Sequence, residues 1–176
     1  MQEIDLDKFD LQLLDELQRN AHASNSALSD LVHLSPSQIS RRIQRLEELG
    51  LVDGYVALLN PAALGLGVTA YTNVTLERHG ESQWDAFGQS VVELEEVLEC
   101  YAVSGEADYM LRVMAPDLAS LSEFMMHKLL RIPGVRSVKS NLVLQKIKRT
   151  TRLPLGHLGH PHAGLSAAQR KKKPVR

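Results

Sequence analysis

The 176-residue chain has one cysteine, one tryptophan and aromatic residues at only 5% of positions. A single cysteine, Cys100, excludes an intrachain disulfide framework. It sits in the apolar run VLECYAV and reads as a small buried residue rather than a nucleophile. No apolar run reaches the roughly 20 residues of a bilayer-spanning helix, and no charged-then-apolar start marks export. The cytoplasm is the natural compartment, with no membrane partner. Charge of one sign is also missing: the net charge is −1. Any attraction to nucleic acid must therefore come from a local patch. Acidic residues at the amino end (Glu3, Asp5, Asp7, Asp10, Asp15 and Glu16) offset basic ones further along. No His/carboxylate metal set or nucleophile–base pair stands out, so an enzyme is a poor fit and no cofactor is expected. His157, His160 and His162 lack the cysteine or carboxylate companions that would favour a metal site.

What is present is a helix with both ends marked, in LSPSQISRRIQRLEELG from Leu34 to Gly50. Ser35 is a good N-cap, Pro36 suits the first helical position, and Gln38 completes a capping box. Gly50 suits the stop. Ile39, Ile43, Leu46 and Leu49 form one apolar face. Ser37, Arg41 and Gln44 point the other way, Ser40 and Arg45 lie on the shoulders, and Arg42 sits nearer the apolar edge. Ser, Gln and Arg are the side chains that bond base edges in a major groove, and arginines suit phosphates. Alone, the helix reads equally well as an amphipathic surface helix. The preceding SNSALSDLV reads as a short helix with Leu28, Leu31 and Val32 inward. Two short helices joined by a tight turn, the second basic in front, make a helix-turn-helix. The candidate DNA-contacting residues are Ser37, Gln38, Ser40, Arg41, Arg42, Gln44 and Arg45.

Leu6 to Gln18 predicts a supporting helix, closing a core of Phe9, Leu13, Leu17, Leu31, Ile43 and Leu46. LVDGYVALLNP suits extended structure with Asp53-Gly54 as a turn, the place of a wing. Asn60 to Gly67 marks a linker. Beyond it the pattern reads β-α-β-β-α-β. There is a strand from Gly67, then a helix over Ser82 to Leu94 with Ser82 as cap and Trp84, Phe87, Val91 and Leu94 inward. A hairpin of Val97–Val103 with Asp108–Met114 follows. A helix capped by Asp117 with Leu118, Leu121, Phe124, Met125 and Leu129 inward comes next, and Val135 to Lys148 is a last strand. This is the ferredoxin-like order. Two helices cover one face of such a sheet, and a second copy of the chain is the simplest cover for the other. Thr150 to Arg176 ends in QRKKKPVR and reads as a disordered basic tail, either solubilising or adding non-specific DNA affinity.

The run LSPSQISRRIQRLEELGLVDGY resembles the helix-turn-helix of the Lrp/AsnC (feast/famine) transcriptional regulators. GEADYMLRV at Gly105 to Val113 and RIPGV at Arg131 to Val135 resemble that family's second domain in order and spacing. The resemblance implies an α+β protein with a winged helix-turn-helix domain (residues 1–60), a linker (61–66), a ferredoxin-like, RAM/ACT-like domain (67–150) and the tail (151–176). It also implies double-stranded DNA as partner, association with the nucleoid, and dimers assembled into larger rings, often octamers.

In the loop SGEAD, Gly105 allows positive φ or close approach, turn N–H groups can hold a carboxylate, and Asp108 can pair with an ammonium. These features also suit a plain hairpin turn. The resemblance implies that this loop binds amino-acid effectors at a subunit interface. Where the family often has Thr-x-Thr at the start of the last strand, this sequence has Val138 and Ser140, losing one hydroxyl. The candidate effector residues are Tyr101, Val103, Ser104, Gly105, Asp108 and Ser140, with Tyr101, Ala102 and Val103 leaving room for a medium-sized apolar side chain. The leading reading is a sequence-specific regulator tuned by an amino acid; the alternative is an architectural protein that wraps DNA with little ligand control.

Overall fold

The computed structural model describes residues 5–77 and 81–158, with backbone alone for residues 81–85. The expectations for Glu3, for the Ser82 cap, for Trp84, for His160 and His162 and for the tail past Leu158 lie outside the described residues. Helices α1 (Lys8–Arg19), α2 (Asn25–Val32) and α3 (Pro36–Glu48) come first. Then follow β1 (Val68–Leu76), α4 (Glu81–Val92), β2 (Val97–Ala102), β3 (Tyr109–Ala115), α5 (Leu118–His127) and β4 (Val135–Leu142). The chain divides into two compact units: residues up to Ala57 with those from Arg149 on, and Leu58–Lys148. The expected linker therefore belongs to the second unit, where Ala62–Leu64 forms a single 3-10 turn.

Local chemistry sets each helix of the first unit. Asp7 caps α1 by accepting the Phe9 and Asp10 N–H groups at 2.9 Å, and Asp10 reaches back to the Asp7 N–H at 3.3 Å. Ser24 caps α2 through the Ala27 N–H at 3.2 Å. The turn after α2 is made by His33 in the left-handed region, φ 59°, and the Ser29 hydroxyl donates to the Leu34 carbonyl across it. At α3, Gln38 Oε1 accepts the Ser35 N–H at 3.0 Å, and Ser35 Oγ accepts the Gln38 N–H at 3.4 Å. Gly50 takes φ 67°, a conformation that costs glycine little, and lets the Leu51 N–H reach back to the Leu46 carbonyl at 3.0 Å.

The core between these helices is Leu13, Leu14, Leu17, Leu28, Val32, Ile39 and Leu46, with Phe9 and Ile43 half-buried at its edge. Leu31, expected inside, is 57% exposed. Leu28 and Val32 lie one turn apart and take the inner line, which turns their neighbour outward.

Two stretches differ from expectation. Residues 51–60 form neither helix nor strand within this chain, where extended structure and a wing were expected. A strand needs a ladder partner, and Asp53-Gly54 does not fold the two halves together. The expected tail is also not free from its start. Arg152 pairs with Asp15 at 2.7 Å, and the Leu153 N–H donates to Gln18 Oε1 at 2.5 Å. Leu155 packs on the helical core. These contacts fix the segment to α1, which its Gly/Pro-broken composition did not disclose.

The second unit is a four-stranded antiparallel sheet in the order β2-β3-β1-β4, the ferredoxin-like arrangement. Strand alternation decides its faces. Ala70, Thr72, Val74 and Leu76 of β1 are buried and stand beside Val113, Leu111 and Tyr109 of β3. Phe87 and Val91 of α4 and Leu121 and Phe124 of α5 cover this face. The Phe87 and Tyr109 rings meet with centroids 4.5 Å apart. Leu118, expected inward, is 59% exposed; Leu121 and Phe124 carry the inner side of α5. Beta-strand β4 stops at Leu142 rather than Lys148, because the Val143 N–H makes the last bond to β1, at Thr69. Cys100, expected buried, is exposed on the edge strand β2. The opposite face carries Tyr71, Asn73 and Thr75 of β1, Tyr101 of β2, and Ser137 and Lys139 of β4, by the same alternation.

Replacing the α3 cap, Ser35→Ala, is expected to destabilise the chain by about 1 kcal/mol. Ser40→Ala, at an exposed position on the same helix, should change stability by less than about 0.5 kcal/mol. Midpoints of chemical denaturation of the full chain check both.

Candidate nucleic-acid interface and ligand cleft

The seven helix residues singled out from sequence do not behave alike. Ser37, Gln38, Ser40, Arg41, Gln44 and Arg45 are exposed, whereas Arg42 is half-buried. Its guanidinium bonds Asp10 Oδ1 at 2.6 Å and Asp7 Oδ2 at 2.8 Å, and stacks over the Phe9 ring at 5.5 Å. Arg45 bonds the other Asp10 oxygen at 3.1 Å and the Asp5 carbonyl at 2.9 Å. The Asp10 side chain is only 3% exposed, so one buried carboxylate holds two arginines of α3 across more than thirty residues of sequence. Of the seven expected DNA contacts, Arg42 is thus the one engaged on the interior side of the unit. Gln38 is occupied in the cap, and Gln44 Nε2 donates to Glu48 Oε1 at 2.9 Å. Arg41 makes no ion pair or hydrogen bond among the described residues. The outward surface of α3 thus presents Ser37, Ser40, Arg41 and Gln44, with the helix held from behind.

Burial of Asp7 would raise its pKa, but the Asp10 N–H and the Arg42 guanidinium outweigh this and hold the carboxyl below its ordinary value of 3.8. Partners of the anion favour its charged form. Burial likewise opposes the Arg42 charge, but the bonds to Asp10 and Asp7 outweigh it and raise the guanidinium further.

The second unit holds a cleft of about 440 Å³. Asn73 and Thr75 of β1 and Ser137 and Lys139 of β4 form its floor, on the face that α4 and α5 leave open. Val103, Ser104, Glu106 and Ala107, from the turn between β2 and β3, form one wall. Arg136 joins them because the β1–β4 register shifts between Thr75 and Leu76. Strict alternation would send Arg136 to the helix-covered side; a bulge re-aims a side chain in this way.

Of the six residues expected to hold an effector, Val103 and Ser104 line the cleft. Gly105 sits in the turn at φ 132°, a value that L side chains rarely adopt. Tyr101 lies on the open face without lining the cleft, 52% exposed. Asp108 is turned toward β1, where Oδ2 accepts the Leu76 N–H at 2.7 Å and so helps to hold the strand end at the bulge. Ser140 is on the other face: it shares a 2.7 Å hydrogen bond with Thr72 and donates to Met125 Sδ. Val138 also packs there against the core. The sequence reading missed Asn73, Thr75, Glu106, Arg136, Ser137 and Lys139. Polar residues at every second position signalled Asn73 and Thr75 of β1 and Ser137 and Lys139 of β4; Glu106 lies in the β2–β3 turn, and nothing local signalled Arg136, which the register shift brings in. Among the described residues no group of three or more His, Cys, Asp or Glu could hold a metal ion. None of the described helices is long and apolar enough to cross a membrane.

Residues 6–47 match the AsnC-type helix-turn-helix domain, and residues 69–153 match the Lrp/AsnC ligand binding domain. The leucine-responsive regulatory proteins of Klebsiella pneumoniae and Escherichia coli K12 are each 38% identical over 149 residues, which is 85% of this chain and 91% of theirs. The chain belongs to the Lrp/AsnC family. It is a transcriptional regulator of that type, with a DNA-binding helix-turn-helix domain and a ligand-binding domain. Among solved structures, a Neisseria meningitidis transcriptional regulator in complex with L-Met superposes with a TM-score of 0.84 at 42% identity, covering 88% of this chain and 99% of that one. An AsnC family regulator from Agrobacterium tumefaciens gives 0.82 at 35% identity, covering 87% and 99%. In this Lrp/AsnC chain the same two domains carry the exposed helix face and the cleft.

Asp10→Ala is expected to destabilise the chain by about 3 kcal/mol, near the lower end for a broken buried pair, since both guanidiniums still reach solvent. The lowered Asp7 pKa adds a pH dependence. Its contribution is complete above about pH 4, near the unfolded carboxyl value, and is lost as pH falls through the lower folded value. Denaturation midpoints between pH 7 and pH 2 check this. Asp7→Asn should flatten the acid limb.

Proposed function

We propose that this chain regulates transcription by reading a specific duplex with the outward face of α3, under control of an amino acid bound in the cleft. The observation that carries the first half is the sorting of the arginines. Arg42 and Arg45 are bonded to Asp10, and Arg41 stands free to meet a base edge beside Ser37, Ser40 and Gln44. Arg can bond two acceptors on guanine, and Gln the matching pair on adenine. Arg45 is half-exposed and near enough to the surface to add phosphate attraction.

Two copies supply two recognition helices for half-sites about one helical turn apart. The uncovered sheet face, with Tyr71 and Tyr101 exposed, supports pairing of second copies there; dimers then build the octameric rings of the family. The Neisseria relative's L-Met supports an amino acid as effector, and the polar cleft beside the Ser104–Asp108 turn is its proposed seat. The working compartment is the cytoplasm, on the nucleoid. An effector that binds one assembly better than another shifts DNA binding by that difference in affinity.

Arg41→Ala is expected to cost about 1–3 kcal/mol on the preferred duplex, with little loss on random DNA. Quantitative gel-shift or fluorescence titration on both duplexes checks it. Equal weakening on both would reduce Arg41 to a phosphate contact and remove the basis for sequence reading by this face.

A further inference from the structure

Resting on the amino-acid reading above, we infer that the cleft selects an acidic amino acid, a ligand with two carboxylates and one ammonium. The cleft contains two cations, Arg136 and Lys139, and one carboxylate, Glu106. Among the described residues none of the three makes an ion pair, whereas Arg112 and Lys128 of the same unit pair with Glu99 and Glu96. A free amino acid with a neutral side chain carries one charge of each sign. It satisfies Glu106 and one cation and leaves the other facing its side chain. A second carboxylate completes the set, and charge-assisted bonds of this kind are the strong ones.

The surroundings agree with the charge count. Thr75, Ser104 and Ser137 place hydroxyls around the same space, each able to donate to a carboxylate. An aliphatic side chain there would strip water from these groups and return no hydrogen bond. Arg136 reaches the cleft only through the bulge opposite Thr75 and Leu76, and bulges recur where a side chain is re-aimed at a site.

Isothermal titration of the full chain with L-glutamate, L-glutamine and L-methionine tests this. Glutamate and glutamine differ little except in charge. The expected result is glutamate binding at least tenfold tighter than either of the others. Either Arg136→Gln or Lys139→Gln should bring the glutamate-to-glutamine ratio close to one, and Glu106→Gln should weaken both ligands. Glutamine or methionine binding as tightly as glutamate would overturn the acidic selection while leaving an amino-acid sensor. A ratio unchanged in both cation variants would overturn it too. No binding of any of the three would overturn both readings.

Discussion

The carboxylate of Asp10 is the point on which the helical unit turns. It is buried, bonds Arg42 through one oxygen and Arg45 through the other, and still closes the capping box of α1. A buried charge is tolerated only when paired and hydrogen-bonded, and here the pairing does more than satisfy it. It sets the rotation of α3 about its own axis. With Arg42 drawn inward and Ile39 and Leu46 in the core, Arg41 has one direction left, outward. The acidic amino end, which keeps the net charge near zero, is thus part of the device that sorts a basic helix into a structural side and a free side.

The ligand-binding unit follows a different rule, the two-residue period of a strand. One parity of β1, β3 and β4 meets α4 and α5; the other forms the open face and the cleft floor. Phe87, Leu111 and Phe124 fill the first side, so chemistry can only be placed on the second. The register shift near Thr75 is the exception that brings Arg136 to the polar side.

Much of this was legible in the chain itself. Caps announce themselves locally, so Ser35, Gln38, Gly50 and Asp117 were readable residue by residue, and the βαββαβ order followed from periodicity. What the chain did not disclose depended on partners distant in sequence. Arg42 looked like a DNA contact because nothing in its own helix reveals Asp10. Ser140 was assigned by resemblance to a motif position, but parity puts its hydroxyl on Thr72. Residues 51–60 have the composition of a strand and find no ladder partner among the described residues of this chain. Arg152 to Leu155 look like tail and are held by Asp15, Gln18 and the helical core.

The most direct measurement is arginine-selective chemical modification, read by peptide mass spectrometry, with and without a bound operator duplex. Arg41 should react rapidly in the free protein and be protected by DNA, while Arg42 should react slowly in both states. Rapid modification of Arg42 in the free protein, with protection by DNA at Arg42 and none at Arg41, would contradict the account.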